Sequence, residues 1–197
     1  MDEPLKNLLA ELEEFGQAND KSISDRPRRM LNITRDTGEF LAVLVRATDA
    51  RRVLEIGTSN GYSTLWLARA VRDIGGIVTT VELSDFKVKL AAKYFARSGL
   101  AAFIVQVQDD AGHVLTHQGD ATLDMIFLDS ERPEYSGWWP DIKRALRPGG
   151  LLIVDNATSH PDQMAPFVAL VKADTLFVTC LVPVGNGEFM ATRISQS

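Results

Sequence analysis

Val53-Leu54-Glu55-Ile56-Gly57-Thr58-Ser59-Asn60-Gly61-Tyr62-Ser63 decides the fold. An apolar strand ends in a carboxylate and a glycine turn, and a helix follows within a few residues. Gly57 and Gly61 let the backbone turn sharply and approach a ligand with no Cβ in the way. The spacing is G-x-x-x-G. Dinucleotide binders use G-x-G-x-x-G, whose second glycine admits a pyrophosphate, and Ser59 stands in that place here. Glu55 beside such a turn suits a cationic ligand better than a phosphate. A tight βα turn with no ligand would use the same residues, so the motif defines strand, turn and helix but not the occupant.

Strands and helices alternate from this point onward. Strands are predicted at Arg52–Ile56, Ile77–Glu82, Ala102–Val107, Leu123–Asp129 and Leu151–Asp155. Helices fall at about Gly61–Arg72, Ser84–Ser98, Ala111–Thr116, Tyr135–Leu146 and Gln163–Val171. Ser84 is a fitting N-cap, and Arg147-Pro148-Gly149-Gly150 is a stop-and-turn signal. Met125–Leu128 and Leu151–Val154 are continuously apolar, as in a parallel sheet covered on both faces. Gly185-Asn186-Gly187 between Thr175–Val184 and Glu188–Ile194 marks a hairpin, so the last strand runs antiparallel. Before the sheet, Leu5, Leu8, Leu9, Leu12 and Phe15 recur at helical spacing. That apolar stripe could serve a homodimer as readily as a core. Gly16 to Arg29 reads as a loop, and a second helix runs from about Asp36 to Ala47. The fold class is α/β: an open doubly wound sheet in one domain, 1–197, with a helical addition over 1–47.

The chain carries a net charge of −5 with 45% hydrophobic residues, and its pI is near 5.2. Such a balance argues against a nucleic-acid-binding surface. The one basic cluster, Arg26-Pro27-Arg28-Arg29, reads as a solvated loop. A lone cysteine, Cys180, excludes an internal disulfide and suits a reducing compartment. No signal-peptide pattern stands near Met1, and no apolar run reaches the ~20 residues needed to span a bilayer. The expectation is a cytoplasmic protein without a membrane partner.

Ligands in such sheets bind at the carboxyl ends of the strands, near the point where strand order reverses. Those ends carry Glu55, Glu82, Asp109-Asp110, Asp129 and Asp155-Asn156. Glu82 lies 25 positions after Gly57. A carboxylate there can accept hydrogen bonds from both ribose hydroxyls of an adenosine ligand. Asp110 and Ala111 are placed to border an adenine. S-adenosylmethionine, with its sulfonium, ammonium and carboxylate, fits such a site. Asp129, Asp155 and Asn156 offer three oxygens from two neighbouring strand ends, which suits a hard divalent cation such as Mg²⁺ rather than zinc. His113 and His117 lack a third zinc ligand and read as surface residues. His160 stands near the Asp-Asn pair, either at the pocket or in a loop without a role. Trp138 and Trp139, at a helix start, read as core residues more readily than as an aromatic wall.

Val53–Ala68, Leu123–Asp129 and Pro148–Asn156 resemble the cation-dependent O-methyltransferases, the family of catechol and caffeoyl-CoA O-methyltransferases. The resemblance runs from about Met30 to the terminal hairpin. It implies a class I methyltransferase fold, a Rossmann-like seven-stranded sheet of order 3-2-1-4-5-7-6. It also implies that Ile33, Glu55, Gly57, Thr58, Ser63, Glu82, Asp110 and Ala111 hold S-adenosylmethionine, and that Asp129, Asp155 and Asn156 hold the metal. The small-molecule acceptor would then be an aromatic with adjacent hydroxyls. Arg132 stands where the family carries a lysine regarded as the general base. A guanidinium with pKa above ~12 cannot take a proton at neutral pH. Arg132 would act as a fixed charge on a phenolate beside Asp129, with Glu131, solvent or an acidic substrate solving the proton problem. Near Cys180, about where catechol enzymes place an orienting carboxylate, none is present. Methylation of another nucleophile without a metal, and cofactor binding without catalysis, stay open at this point.

Overall fold

The computed structural model describes residues 2–195. Helix α1 (Glu3–Ser22) starts at Asp2, whose carboxylate accepts the Leu5 N–H at 3.1 Å. Leu5, Leu8, Leu9 and Leu12 are buried in this chain's own core, so the stripe carries no argument for a second copy. The helix continues through Gly16–Ser22, where the sequence reads as a loop. Gln17, Ala18 and Lys21 are adequate helix formers once a packed stem is in place. Gly16 serves a close approach: a Cβ there would meet the Asn32 amide nitrogen at 2.5 Å. A 3-10 turn at Arg26–Arg28 leads to α2 (Arg35–Ala47), N-capped by Thr34.

The alternating part comprises β1 (Arg52–Ile56), α3 (Tyr62–Ile74), β2 (Ile77–Glu82), α4 (Asp85–Ser98), β3 (Ile104–Gln108), α5 (Ala111–Thr116) and β4 (Leu123–Leu128). It continues with α6 (Tyr135–Ala145), β5 (Leu146–Val154), α7 (Pro161–Ala173), β6 (Phe177–Val182) and β7 (Glu188–Arg193). The seven strands form one sheet in the order β3-β2-β1-β4-β5-β7-β6. β1 to β5 pair in parallel, and β7 runs antiparallel to both β5 and β6. Every residue of β4 is buried, as its unbroken apolar run requires.

Several predicted boundaries moved, two of them for a clear local reason. β3 begins at Ile104 because Ala101–Phe103 form a 3-10 turn first. β5 begins at Leu146, and Arg147–Gly150 lie within it as an irregularity: Leu146 pairs Leu123, but the next partners are Leu151 and Met125. Gly149 takes φ +74° there, so the Pro-Gly-Gly run bulges the strand rather than ending it. One apolar layer packs α1–α4 on the sheet, the other α5–α7. Trp139 is core, with ring centroids 6.0 Å from Phe167 and 4.7 Å from Phe177. Trp138 is only half-buried. Among the described residues, no helix is long and apolar enough to cross a membrane.

Candidate active site

The strand tips are stitched together at the reversal point. The Gly57 N–H donates to Val81 O at 3.0 Å, the Asp129 N–H to Ile56 O at 3.0 Å, and the Asp155 N–H to Leu128 O at 3.1 Å. This brings the ends of β1, β2, β4 and β5 to one cleft of about 1010 Å³. Gly57, with φ +106°, lies so close to Asp129 that a Cβ would meet its carbonyl oxygen at 2.1 Å.

A small polar pocket opens behind the turn, lined by Ile33, Gly57, Thr58, Asn60 and Ser63 among others. Two side-chain atoms at its wall are buried and unpartnered: Oδ1 of Asn32 and Nδ2 of Asn60. Both amides are oriented by their other ends. Asn32 Nδ2 donates to Leu12 O at 3.0 Å, and Asn60 Oδ1 accepts the Tyr62 N–H at 3.2 Å. Both residues line the same small pocket, each with one amide atom left without a partner, and each is costly to leave so. Neither residue stood out in the sequence, since an asparagine beside glycines reads first as a turn former.

Glu82 reaches the cleft with its oxygens held by the Ser59 and Ser84 N–H groups, both at 3.0 Å. Each carboxylate oxygen keeps a second lone pair for a ligand. Ser59 sits at φ +49° to make this bond, and its hydroxyl donates to Met30 O at 2.5 Å. Asp110 caps α5 through the His113 N–H and lines the same end with Ala111 and Trp138. His113 and His117 are exposed, as expected.

Glu55 does not line the cleft. It is fully occluded beneath the turn, accepting from Ser63 at 2.5 Å, from Thr80 at 2.6 Å and from Thr64. Burial raises its pKa from 4.5 to about 7 against those three hydroxyl bonds. The folded state thus binds the proton more tightly than the unfolded one between pH 4.5 and about 7. Stability contributed by the protonated form is lost as pH rises through that window, at up to about 1.4 kcal/mol per pH unit. The ligand-free chain should melt lower at pH 8 than at pH 5, and Glu55→Gln should reduce the difference, leaving the part carried by the other raised carboxyls. Parallel pH profiles for the two proteins would show otherwise.

Asp129, Asp155 and Asn156 converge. Asn156, at φ +70°, donates from Nδ2 to Asp129 Oδ1 at 3.1 Å and to Asp155 Oδ2 at 3.0 Å. Burial, followed by the charges of Asp155 and Glu55, pushes Asp129 well above the usual carboxylate range, while Arg132 and Lys87 oppose the shift. Burial likewise raises Asp155. Glu188, at the start of β7, is a buried neighbour that sequence patterning missed. Burial and the charge of Asp155 push its carboxyl well above the usual range. Among the described residues, no three His, Cys, Asp or Glu gather as a metal-holding group. The set here is two carboxylates and one amide, whose nitrogen faces the acids while its Oδ1 accepts from the Ser159 hydroxyl at 3.1 Å. A buried and a half-buried acid held together fit a hard cation by their chemistry.

Arg132 is almost wholly buried, its Nε donating to Gln163 Oε1 at 2.7 Å. It lines the cleft with Asp129, Asp155, Asn156 and His160. Cys180 lies exposed on the outer strand β6 and takes no part. The hairpin residue that reaches the cleft is Asn186 instead.

The family model described as O-methyltransferase matches residues 4–194. The chain belongs to the O-methyltransferase family. A relative named catechol O-methyltransferase, from Niastella koreensis, is 31% identical over 162 residues, covering 79% of this chain and 72% of that protein. The crystal structure of an O-methyltransferase from Bacillus cereus in complex with SAH superposes with a TM-score of 0.81. It is 25% identical and covers 95% of this chain and 90% of its own. The O-methyltransferase TomG from Streptomyces achromogenes, involved in tomaymycin synthesis and solved with SAM, gives a TM-score of 0.78 at 27% identity. That match covers 99% of this chain and 91% of TomG.

Proposed function

We propose that this O-methyltransferase moves a methyl group from S-adenosylmethionine to a hydroxyl of a small aromatic acceptor with adjacent hydroxyls, assisted by a hard divalent cation. The observation that carries the reading is the convergence of Asp129, Asp155 and Asn156 beside a polar pocket with one unpaired donor and one unpaired acceptor. An amino-acid group matches that pair: its ammonium can donate to Asn32 Oδ1, and its carboxylate can accept from Asn60 Nδ2. Ile33, Gly57, Thr58 and Ser63 would enclose that end, Glu82 would hold the ribose, and Asp110 and Ala111 the adenine. Glu55 would act from behind, holding Ser63 and the turn in place.

Asp129, Asp155 and Asn156 would hold the cation. When bound, the cofactor supplies an electrophilic methyl and the metal lowers the pKa of an acceptor hydroxyl. Arg132 keeps its charge at any working pH and stabilises negative charge on the acceptor oxygen. Glu131, exposed on the cleft wall, and bulk water are the groups open to the departing proton.

Calorimetry with S-adenosylhomocysteine tests the cofactor half. Wild type should bind, and Asn60→Ala should weaken binding about 10- to 100-fold, as loss of a charge-assisted hydrogen bond implies. An unchanged affinity would remove Asn60 from the site. Turnover of a catechol panel with EDTA tests the metal half: activity should vanish and return with added Mg²⁺. Chelator-insensitive turnover would reject the metal.

A further inference from the structure

Acidic residues outnumber basic ones, 26 to 21. Lys21, Lys87, Lys93 and Lys172 pair with no carboxylate among the described residues, and Lys87 lines the cleft; most arginines are paired. Arg35, Arg46, Arg51, Arg52, Arg69, Arg72, Arg97, Arg144 and Arg147 each have a carboxylate within 4.0 Å. Arg193 is held by the carbonyls of Lys143 and Leu146. Among the described residues, the arginines with neither kind of partner are Arg26, Arg28, Arg29 and Arg132. Arg28 faces outward, 5.7 Å over the Phe86 ring. The other three line the cleft.

Arg29 is the most telling of them. Its Nε is buried and unpartnered, on a half-buried side chain. Its backbone is not free to swing the charge away. Asp20 accepts the Met30 N–H at 2.7 Å and the Leu31 N–H at 2.8 Å, so its carboxylate is spent on backbone; Asp25, beside Arg26, forms no ion pair among the described residues. Arg26, Arg29, Arg132 and His160 all line this one cleft. Glu131 and Glu134 also border the cleft, yet neither forms an ion pair with these guanidiniums. This wall belongs to the same cleft as the Glu82–Asp110 end. The one carboxylate of S-adenosylmethionine is assigned above to the pocket behind Gly57.

We propose that the acceptor itself is an anion, carrying a carboxylate or a phosphate that pairs with Arg26 and Arg29 at the cleft mouth while its reacting hydroxyl lies by Arg132. This rests on the methyltransferase reading above. It turns the cluster that looks in sequence like a solvated loop into the determinant of which acceptors enter.

The test is binding rather than turnover. The chain is saturated with S-adenosylhomocysteine and Mg²⁺ and titrated calorimetrically with 3,4-dihydroxybenzoate, with its methyl ester, and with 3,4-dihydroxybenzyl phosphate. At least one anion should bind about tenfold or more tightly than the ester, as charge-assisted arginine hydrogen bonds allow, and the tighter of the two identifies the group. In the Arg26→Gln/Arg29→Gln double variant that ratio should fall toward one, and Arg29→Glu should invert it. An unaltered melting temperature certifies that the variants fold. A wild-type ester that binds as tightly as both anions overturns the proposal. So does a ratio that survives the double substitution. If the anion preference is present and lost on substitution while no catechol is ever methylated, this inference stands and the acceptor chemistry proposed above fails.

Discussion

Asp129→Asn is expected to cut methyl transfer by about 10³-fold while leaving the ligand-free chain as stable as wild type or more so. Asp129 is half-buried beside the buried Asp155, with the Asn156 amide bridging them and Arg132 and Lys87 as opposing charges. An asparagine at 129 can still accept the Asn156 N–H through its oxygen, so the local bond survives. What disappears is a negative charge kept in a desolvated place at a cost the free chain cannot offset. At this chain length, each kcal/mol recovered raises the melting temperature by roughly 2–4 °C. The cation, in contrast, loses one of its two carboxylates. A loss of about 4 kcal/mol in transition-state stabilisation corresponds to a factor of about 10³ in rate. Assays at saturating Mg²⁺ and calorimetric melts without it measure the two sides. Retention of more than a tenth of the activity, or a large drop in melting temperature, would show that Asp129 is held for the fold and not for the reaction.

Gly57→Ala should be the most damaging small substitution in the chain. Two penalties coincide there. The backbone is at φ +106°, where an L side chain is strained, and the new Cβ would stand 2.1 Å from the Asp129 carbonyl oxygen. Relief requires either β1 or β4 to retreat, which breaks the Gly57-to-Val81 or the Asp129-to-Ile56 bond that closes the strand tips. Together these amount to about 3–5 kcal/mol, or about 10 °C or more in melting temperature at this size. Gly75 is the control. It caps α3 at φ +70°, but a Cβ there meets nothing within 4 Å. Gly75→Ala should cost only about 1 kcal/mol, the conformational part alone. Equal effects at the two positions would show that the contact with Asp129 is unimportant.

Patterning along the chain carried most of the architecture. Continuous apolar runs and glycine turns locate β1, β2 and β4 to within a residue, because strands buried on both faces leave little freedom in composition. The carboxylates at strand ends were visible for the same reason: they stand where an apolar run stops. What composition hides is side-chain pairing across the fold. Glu55 ends a strand like Glu82 does, yet it points into a nest of hydroxyls from β2 and α3, and only the packed sheet shows that. Asn32 and Asn60 look like turn residues until both are found with an idle atom at one pocket. The Gly16–Ser22 stretch lacks an apolar face, so periodicity gave no reason to extend α1 through it. That extension is what delivers Asp20 to the loop at residues 30 and 31.

Asp20 grips that loop on one side, and the Ser59 hydroxyl grips it at Met30 on the other. The rim between residues 23 and 29 is therefore a clipped-on collar, fastened at its base and otherwise independent of the sheet. Exchanging side chains along the collar would retune which guests are admitted without disturbing the machinery beneath. Removing the clasp, by Asp20→Ala, would loosen entrance and inner chamber together, though the substitution sits on a surface helix remote from the reacting atoms in sequence.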